Sequence, residues 1–386
     1  MIIFTIVLLL IVLFFAILCG TDFLMNQISK FKRFRIGRWS DRKSWSEAVE
    51  QKSIKWLKHT PTVRQTDNNQ YVLFDILKGT YRNKTIQSWQ KAGLVLGLYG
   101  SESQNAREAV SEWQKTMMDS AKKQTITNDK VDYAMLAYAF LKTVAPKDYE
   151  TVRPSMERVI KLIEDNLTRD GIISYSEGKQ AERYFVDTLG MVCPFLCLYG
   201  RIYQKDKYVK MAFDQIRFYT RYGMYGDTML PCHAIDSRTH LPLSLYGWGR
   251  GTAWFVLGLI DTYAEMESSP EKLELQGIIQ KAAESYKAYQ LADGGFCTIL
   301  QGGGIYDSSV TSVMSYFYQF CAGIFNNSEY KSIADNCLDR LIRATMRDGA
   351  IDQCQGDTHG VGNFSQTFDI MPFAQGMALR GIGPLC

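Results

Sequence analysis

The chain has 386 residues, 46% hydrophobic and 22% charged, with 44 Lys and Arg against 40 Asp and Glu. Ample apolar content and nine cysteines spread over that length exclude a disordered, collagen-like or small disulfide-stapled protein. Residues 1–43 hold seven basic side chains and two acids, leaving 37 basic and 38 acidic residues in 44–386, so the net +4 belongs to the N-terminal segment and no nucleic-acid surface follows from it.

The first predicted element is an apolar helix. From Ile2 to Leu18 only Thr5 interrupts the hydrophobic run, which is long enough at helical rise to cross a bilayer. No Lys or Arg precedes the run and no A-x-A pattern ends it, which favours an uncleaved single-pass anchor over 1–20 against the alternative, a signal peptide. The stretch KFKRFRIGR then makes 21–43 a basic juxtamembrane linker, and the positive-inside rule puts the body after it on the cytoplasmic face. Cys193, Cys197, Cys232, Cys297, Cys321 and Cys337 fall mostly in apolar helical surroundings and read as buried thiols, pointing the same way. Four N-x-S/T sequons, at Asn83, Asn166, Asn326 and Asn363, suit the extracytoplasmic side and keep the sidedness open.

From Trp39 onward two kinds of helical segment alternate. EAVEQKSIKWLKH, AREAVSEWQKTMMDSAKK, PSMERVIKLIEDNL, VKMAFDQIRFYTRY, KLELQGIIQKAAESYKAYQ and EYKSIADNCLDRLIRATM have one charged and one aliphatic face, as surface helices do. Between them lie segments apolar nearly all round and rich in small residues, starting at 88, 132, 187, 247, 307 and 369. Such helices are buried on every side. The recurrence predicts six outer and six inner helices closed into one toroid over 44–386, and two unrelated helical domains would need a linker that the sequence lacks.

In that toroid the inner helices run parallel, and the loops reaching their N-termini meet at one mouth. The residues there are Asp129, Asp132, Asp187, Trp248, Arg250, Asp307 and Asp369, with His233 and Asp236 from 224–240, His359 from 350–363, and the aromatics Tyr184, Phe185, Tyr246 and Trp254. Carboxylates with aromatics, a His and an Arg suit a carbohydrate, and the Arg fork suits a uronate carboxylate. Asp at a helix N-terminus is also a common cap, so each acid taken singly has a plainer explanation. Caps alone do not account for W-x-R-x-x-x-W preceded by H-x-x-D. No C-x-x-C pair, P-loop, G-x-G-x-x-G or G-x-S-x-G pattern occurs, so neither a metal nor a cofactor is expected.

These segments resemble the unsaturated uronyl hydrolases of glycoside hydrolase families 88 and 105, especially the unsaturated rhamnogalacturonyl hydrolase type. VDYAMLAYAFL looks like the segment carrying that family's first catalytic-site aspartate, here Asp132, and RYFVDTLGMVCPFL like its D-x-x-x-M-x-x-P-F motif, here with Asp187 as the principal acid. CHAID matches the H-x-x-D stretch at His233 and Asp236, and YGWGRGTAWFVLGLIDTY the segment giving Trp248, Arg250 and Trp254. DGGF and DSSVTSVMSYFY resemble later stretches, with Phe296 where a Trp is common and Asp307 where Glu is usual.

The resemblance implies an (α/α)6 barrel and removal of a C4=C5 unsaturated uronic acid from the non-reducing end of lyase-generated oligosaccharides. Asp187 would protonate C4 and activate the water that attacks C5. Asp132 would orient that water and raise the acid's pKa as a like charge. His233 and Arg250 would bind sugar and uronate, Trp248 and Trp254 would be platforms, and Tyr184, Asp307 and His359 would complete the substrate site. The partners expected are an oligosaccharide and a membrane, with no nucleic acid. Two other functions use the same mouth: an inverting (α/α)6 glycosidase acting on saturated glycans, and a non-catalytic membrane-attached glycan-binding protein.

Overall fold

Twelve helices of the body alternate between polar-faced and wholly buried, as the periodicity dictates. The computed structural model describes residues 1–83, 86–123, 130–175 and 182–383; Asp129 and the two residues after Asn83 lie outside them. The outer helices are α2 (Arg42–Lys58), α5 (Gln104–Lys122), α7 (Tyr149–Asp165), α9 (Asp206–Tyr222), α11 (Pro270–Lys287) and α13 (Ser328–Arg343). The inner ones are α4 (Ser88–Tyr99), α6 (Tyr133–Thr143), α8 (Asp187–Ile202), α10 (Gly249–Glu265), α12 (Ser308–Phe325) and α14 (Pro372–Ile382). Each inner helix packs on the next, and α14 returns to pack on α4, so the inner layer closes on itself.

The two ends of this ring differ. Connections from inner to outer helices are short, such as 203–205 and 326–327, whereas those from outer to inner run long, as in 223–248 and 344–371. The long loops carry the strand pairs β1–β2 (Val63–Arg64, Arg82–Asn83) and β6–β7 (Cys354–Gln355, Phe368–Asp369). They also carry the antiparallel sheet β3–β4–β5 (Arg183–Phe185, Cys232–Asp236, Pro242–Tyr246). At the opposite end the helix C-termini are tied by ion pairs to buried carboxylates. Arg380 donates to Asp261 at 2.7 Å, and Glu265 takes both Lys142 and Arg201. Cations in the last turns suit the negative ends of the helix dipoles.

Small residues set the spacing of the inner ring. A Cβ on Gly376 of α14 would collide with the Gly93 carbonyl oxygen of α4, and one on Gly190 of α8 would lie 2.7 Å from the Trp254 carbonyl oxygen of α10. Gly376→Ala is therefore expected to destabilise by about 2 kcal/mol or more, because backbone cannot yield as a flexible side chain does. Gly277→Ala on α11, where a Cβ meets nothing within 4 Å, is expected to stabilise by about 0.5–1 kcal/mol. Thermal unfolding of the two variants side by side checks both signs.

The cysteines named above are buried free thiols. The N-terminal segment is helical through the expected anchor and into the basic stretch. It is a single helix, α1 (Ile2–Lys32), long and apolar enough to cross a membrane and running on through the first basic residues. The chain after it is fastened rather than free. Arg33 pairs with Asp352, whose side chain is 1% exposed, and the Gly37 amide and the Trp39 indole both donate to the Thr345 carbonyl. In its C-terminal third, α1 sends the Asp22 carboxylate to the amides of Tyr71 and Val72, at 2.7 and 3.0 Å. It thereby caps the short helix α3 (Val72–Lys78) in the loop between α2 and α4, whose first amides have no partner within the helix.

Candidate active site

The mouth sheet brings a histidine against the first residue of α8. Phe185 of β3 pairs with Ala234 of β4, and the Val186 amide donates to the His233 carbonyl at 3.1 Å. Asp187 opens α8 immediately afterwards, and its Oδ2 lies 3.7 Å from His233 Nε2. Both residues line a cavity of about 280 Å3 together with Trp89, Arg250, Trp254 and His359. That volume sits at the lower end for small-molecule sites.

The electrostatics of this pair are set by burial. Loss of hydration pushes the Asp187 carboxyl from 3.8 up to about 7 against the pull of Arg250, and the Asp357 carboxylate adds to the rise. Burial is thus the leading cause of the rise. The same desolvation, helped by Arg250, lowers His233 to about 4. Between those values Asp187 holds its proton while His233 is neutral. Among the described residues, Asp187 Oδ2 and His233 Nδ1 are buried with no hydrogen-bond partner, which leaves that carboxyl oxygen uncommitted by them.

Arg250 is held rigidly. Its two terminal nitrogens donate to the carbonyls of Gln355 and Gly356, both at 2.6 Å, and its guanidinium lies over the Trp248 ring with the centroid 5.2 Å away. A guanidinium has five N–H groups, and these two bonds leave donors for a ligand carboxylate. Trp248 is 1% exposed and does not face the cavity; its ring packs on His233 at 4.6 Å and its indole donates to Gln355. It supports the site where a sugar platform was expected. Trp254 does line the cavity, edge-on to Trp89 at 5.5 Å.

Asp132 lies behind the wall. It accepts from the Tyr175 hydroxyl at 3.2 Å, and Tyr175 itself faces the cavity. Burial holds that phenol far above its usual titration range, so it stays a donor. Further residues expected at the mouth do not line the cavity. Tyr184 points to the other face of β3, its hydroxyl on Thr168 and its ring against Phe218, because neighbours in a strand face opposite ways. Asp307 is a fully buried cap that takes the Ser309 amide and hydroxyl and the Gln355 amide. Asp236 is spent on its own turn, through the amides of Arg238 and Thr239, and Asp369 accepts from Arg82.

Sequence reasoning missed the residues that build the rim. Asp357, bonded by Gln87 at 2.8 Å and 3.8 Å from Arg250, comes from the very loop that gave His359. Asp67 ties the 59–87 loop to that rim, accepting from His359, Thr367, Ser365 and the Gln366 amide. Trp89 had a usable signal, since it is the second residue of an inner helix and therefore at the mouth. Asp67 had none. Among the described residues no group of His, Cys, Asp and Glu could hold a metal ion.

The fold recurs in solved structures at low identity. A possible member of glycoside hydrolase family 105 from Klebsiella pneumoniae superposes with a TM-score of 0.73 at 16% identity, over 89% of this chain and 92% of that one. The unsaturated glucuronyl hydrolase from Bacillus sp. GL1 gives 0.62 at 15% identity, over 87% and 94%. The unsaturated glucuronyl hydrolase from Streptococcus agalactiae gives 0.60 at 13%, over 88% and 91%. No curated protein matches the chain in sequence. The model of glycosyl hydrolase family 88 matches residues 56–380, a span that takes in the ring from the end of α2 to Arg380 of α14 and all the mouth residues described above; the chain belongs to glycosyl hydrolase family 88.

Proposed function

We propose that this glycoside hydrolase removes a C4=C5 unsaturated uronic acid from the non-reducing end of lyase-generated oligosaccharides, by hydrating the double bond. The observation that carries the reading is a carboxyl raised to about 7 beside a neutral histidine and a fixed guanidinium, in a cavity near the size of one sugar ring. A vinyl ether reacts when C4 gains a proton and water attacks C5. Asp187 gives its proton to C4, the oxocarbenium at C5 takes the water oxygen, and the water's proton returns to the Asp187 carboxylate. The hemiketal at C5 opens, and the bond from C1 to the aglycone breaks.

In this reading Arg250 receives the uronate carboxylate, His233 and His359 contact hydroxyls, and Trp254 with Trp89 forms the apolar wall. Asp132 with Tyr175 orients the water. The closed ring over 44–386 is read as an (α/α)6 barrel, and residues 1–20 as a single-pass membrane anchor with the body leaning to the cytoplasmic face.

The test is the full chain in detergent, supplied with lyase products of rhamnogalacturonan, glucuronan and glycosaminoglycans. Loss of the ultraviolet absorbance of the conjugated double bond on one of them is the expected result. Binding without loss on any would support a glycan-binding protein.

A further inference from the structure

The mouth carries an apolar surface that the active site does not use. Helix α3 exposes Tyr71 at its N-terminus, then Phe74, Ile76 and Leu77, the last at 74% exposure. Val72 is the one buried residue of the helix, and Asp75 accepts from Thr66 and Asn68 of the preceding stretch. A seven-residue helix with that much apolar surface in water is costly unless something covers it.

Its place beside α1 names the cover. Ile2–Thr21 holds no charge, and at 1.5 Å per residue spans about 30 Å, the thickness of a hydrocarbon core. Asp22 is the first charge, and it caps the start of α3. Phe74 reaches the ring of Phe14, with centroids 6.4 Å apart, and Phe14 lies about 10 Å up the helix from Thr21. So α3 descends from the level of the first charge into the outer layer of the uncharged span. That is the depth at which amphipathic helices lie, about 5–10 Å below the headgroups. Beyond Asp22, the exposed Lys30, Lys32 and Arg35 follow on the headgroup side of the span, where acidic lipid headgroups would meet them.

We propose that α3 is a second membrane contact, inserted into the same leaflet that α1 crosses, and that it holds the active-site mouth at the lipid surface. The link to the mouth is direct: the 59–87 loop carries Asp67, which bonds His359 and the 365–367 backbone and side chains at the cavity rim. An enzyme so mounted meets oligosaccharides arriving along the membrane surface.

The inference rests on reading α1 as an anchor, and the experiment separates the two. The full chain, with Cys19 and Cys386 replaced by serine, carries an environment-sensitive fluorophore at Leu77→Cys, Tyr71→Cys, Leu10→Cys or Leu273→Cys and is reconstituted into phosphatidylcholine vesicles. Leu273 is 71% exposed on α11, near its N-terminus and so at the end of the ring away from the mouth. Lipids brominated near the headgroup should quench the probes at 77 and 71 severalfold, lipids brominated near the chain ends should quench the probe at 10, and the probe at 273 should be unaffected. A quenched probe at 10 with unquenched probes at 71 and 77 overturns the inference and spares the anchor. An unquenched probe at 10 overturns both.

Discussion

Asp187→Asn is expected to lower turnover by about 10^4-fold, the upper range for loss of a general acid–base group, with substrate binding largely kept. The amide has the carboxyl's shape but no proton of usable acidity. The same variant carries a stability signature. Wild-type Asp187 is raised from 3.8 to about 7 on folding, so the folded state holds a proton that the unfolded chain releases above about pH 4. Stability from this group is complete below that pH and is lost as pH rises through 7, a cost of about 4 kcal/mol at pH 8. An uncharged asparagine at this position would not bear that cost. Relative to wild type, the variant should therefore gain stability between pH 5 and pH 8, and denaturant melts at both pH values measure it. Retained turnover would remove Asp187 from the acid–base role. An unchanged stability difference would mean that the carboxyl is not buried as described.

Arg250→Met is expected to raise KM about 10- to 100-fold, the loss of a charge-assisted bond to a ligand carboxylate. It should also move the pH profile. Arg250 lowers both Asp187 and His233, so its removal shifts the alkaline limb of kcat/KM above 7 and the acid limb above 4. Because the side chain is 1% exposed and satisfies two carbonyls, the variant also loses stability, and the profile is to be taken below its melting temperature. A profile that stays in place, with KM unaltered, would contradict the assigned role.

How much of this was legible depends on how local the signal is. The alternation of charged-faced and all-apolar helices is written in periods of a few residues, and it located all six inner helices and the mouth they share. Asp187 and Asp307 show where that logic ends. Both are acids at the head of an inner helix, yet Asp187 is the first helical residue and caps nothing with its side chain, whereas Asp307 is a true N-cap to Ser309. The D-x-S spacing was the clue to the difference. Tyr184 and Phe185 required knowing that β3 is a strand, after which period two separates them.

The N-terminal segment escapes a local reading for a different reason. Its basic residues look like a solvated collar by composition, but Arg33 finds Asp352 and Asp22 finds the head of α3. Partners 319 and 49 positions away leave no trace in a local pattern. The same holds for Asp67, in a loop whose seven-residue helix is too short for periodicity to register.

The central claim is hydration of an unsaturated uronate, and a matched pair of substrates tests it most directly. One oligosaccharide carries the C4=C5 double bond on its terminal uronate, the other the saturated uronate at the same position. The measurement is aglycone release against time for each, with the ultraviolet signal followed in parallel. The expected result is release from the unsaturated member alone, one mole per mole of absorbance lost. Release from the saturated member at a comparable rate, with the double bond of the other untouched, would contradict it and mark the chain as an ordinary inverting glycosidase.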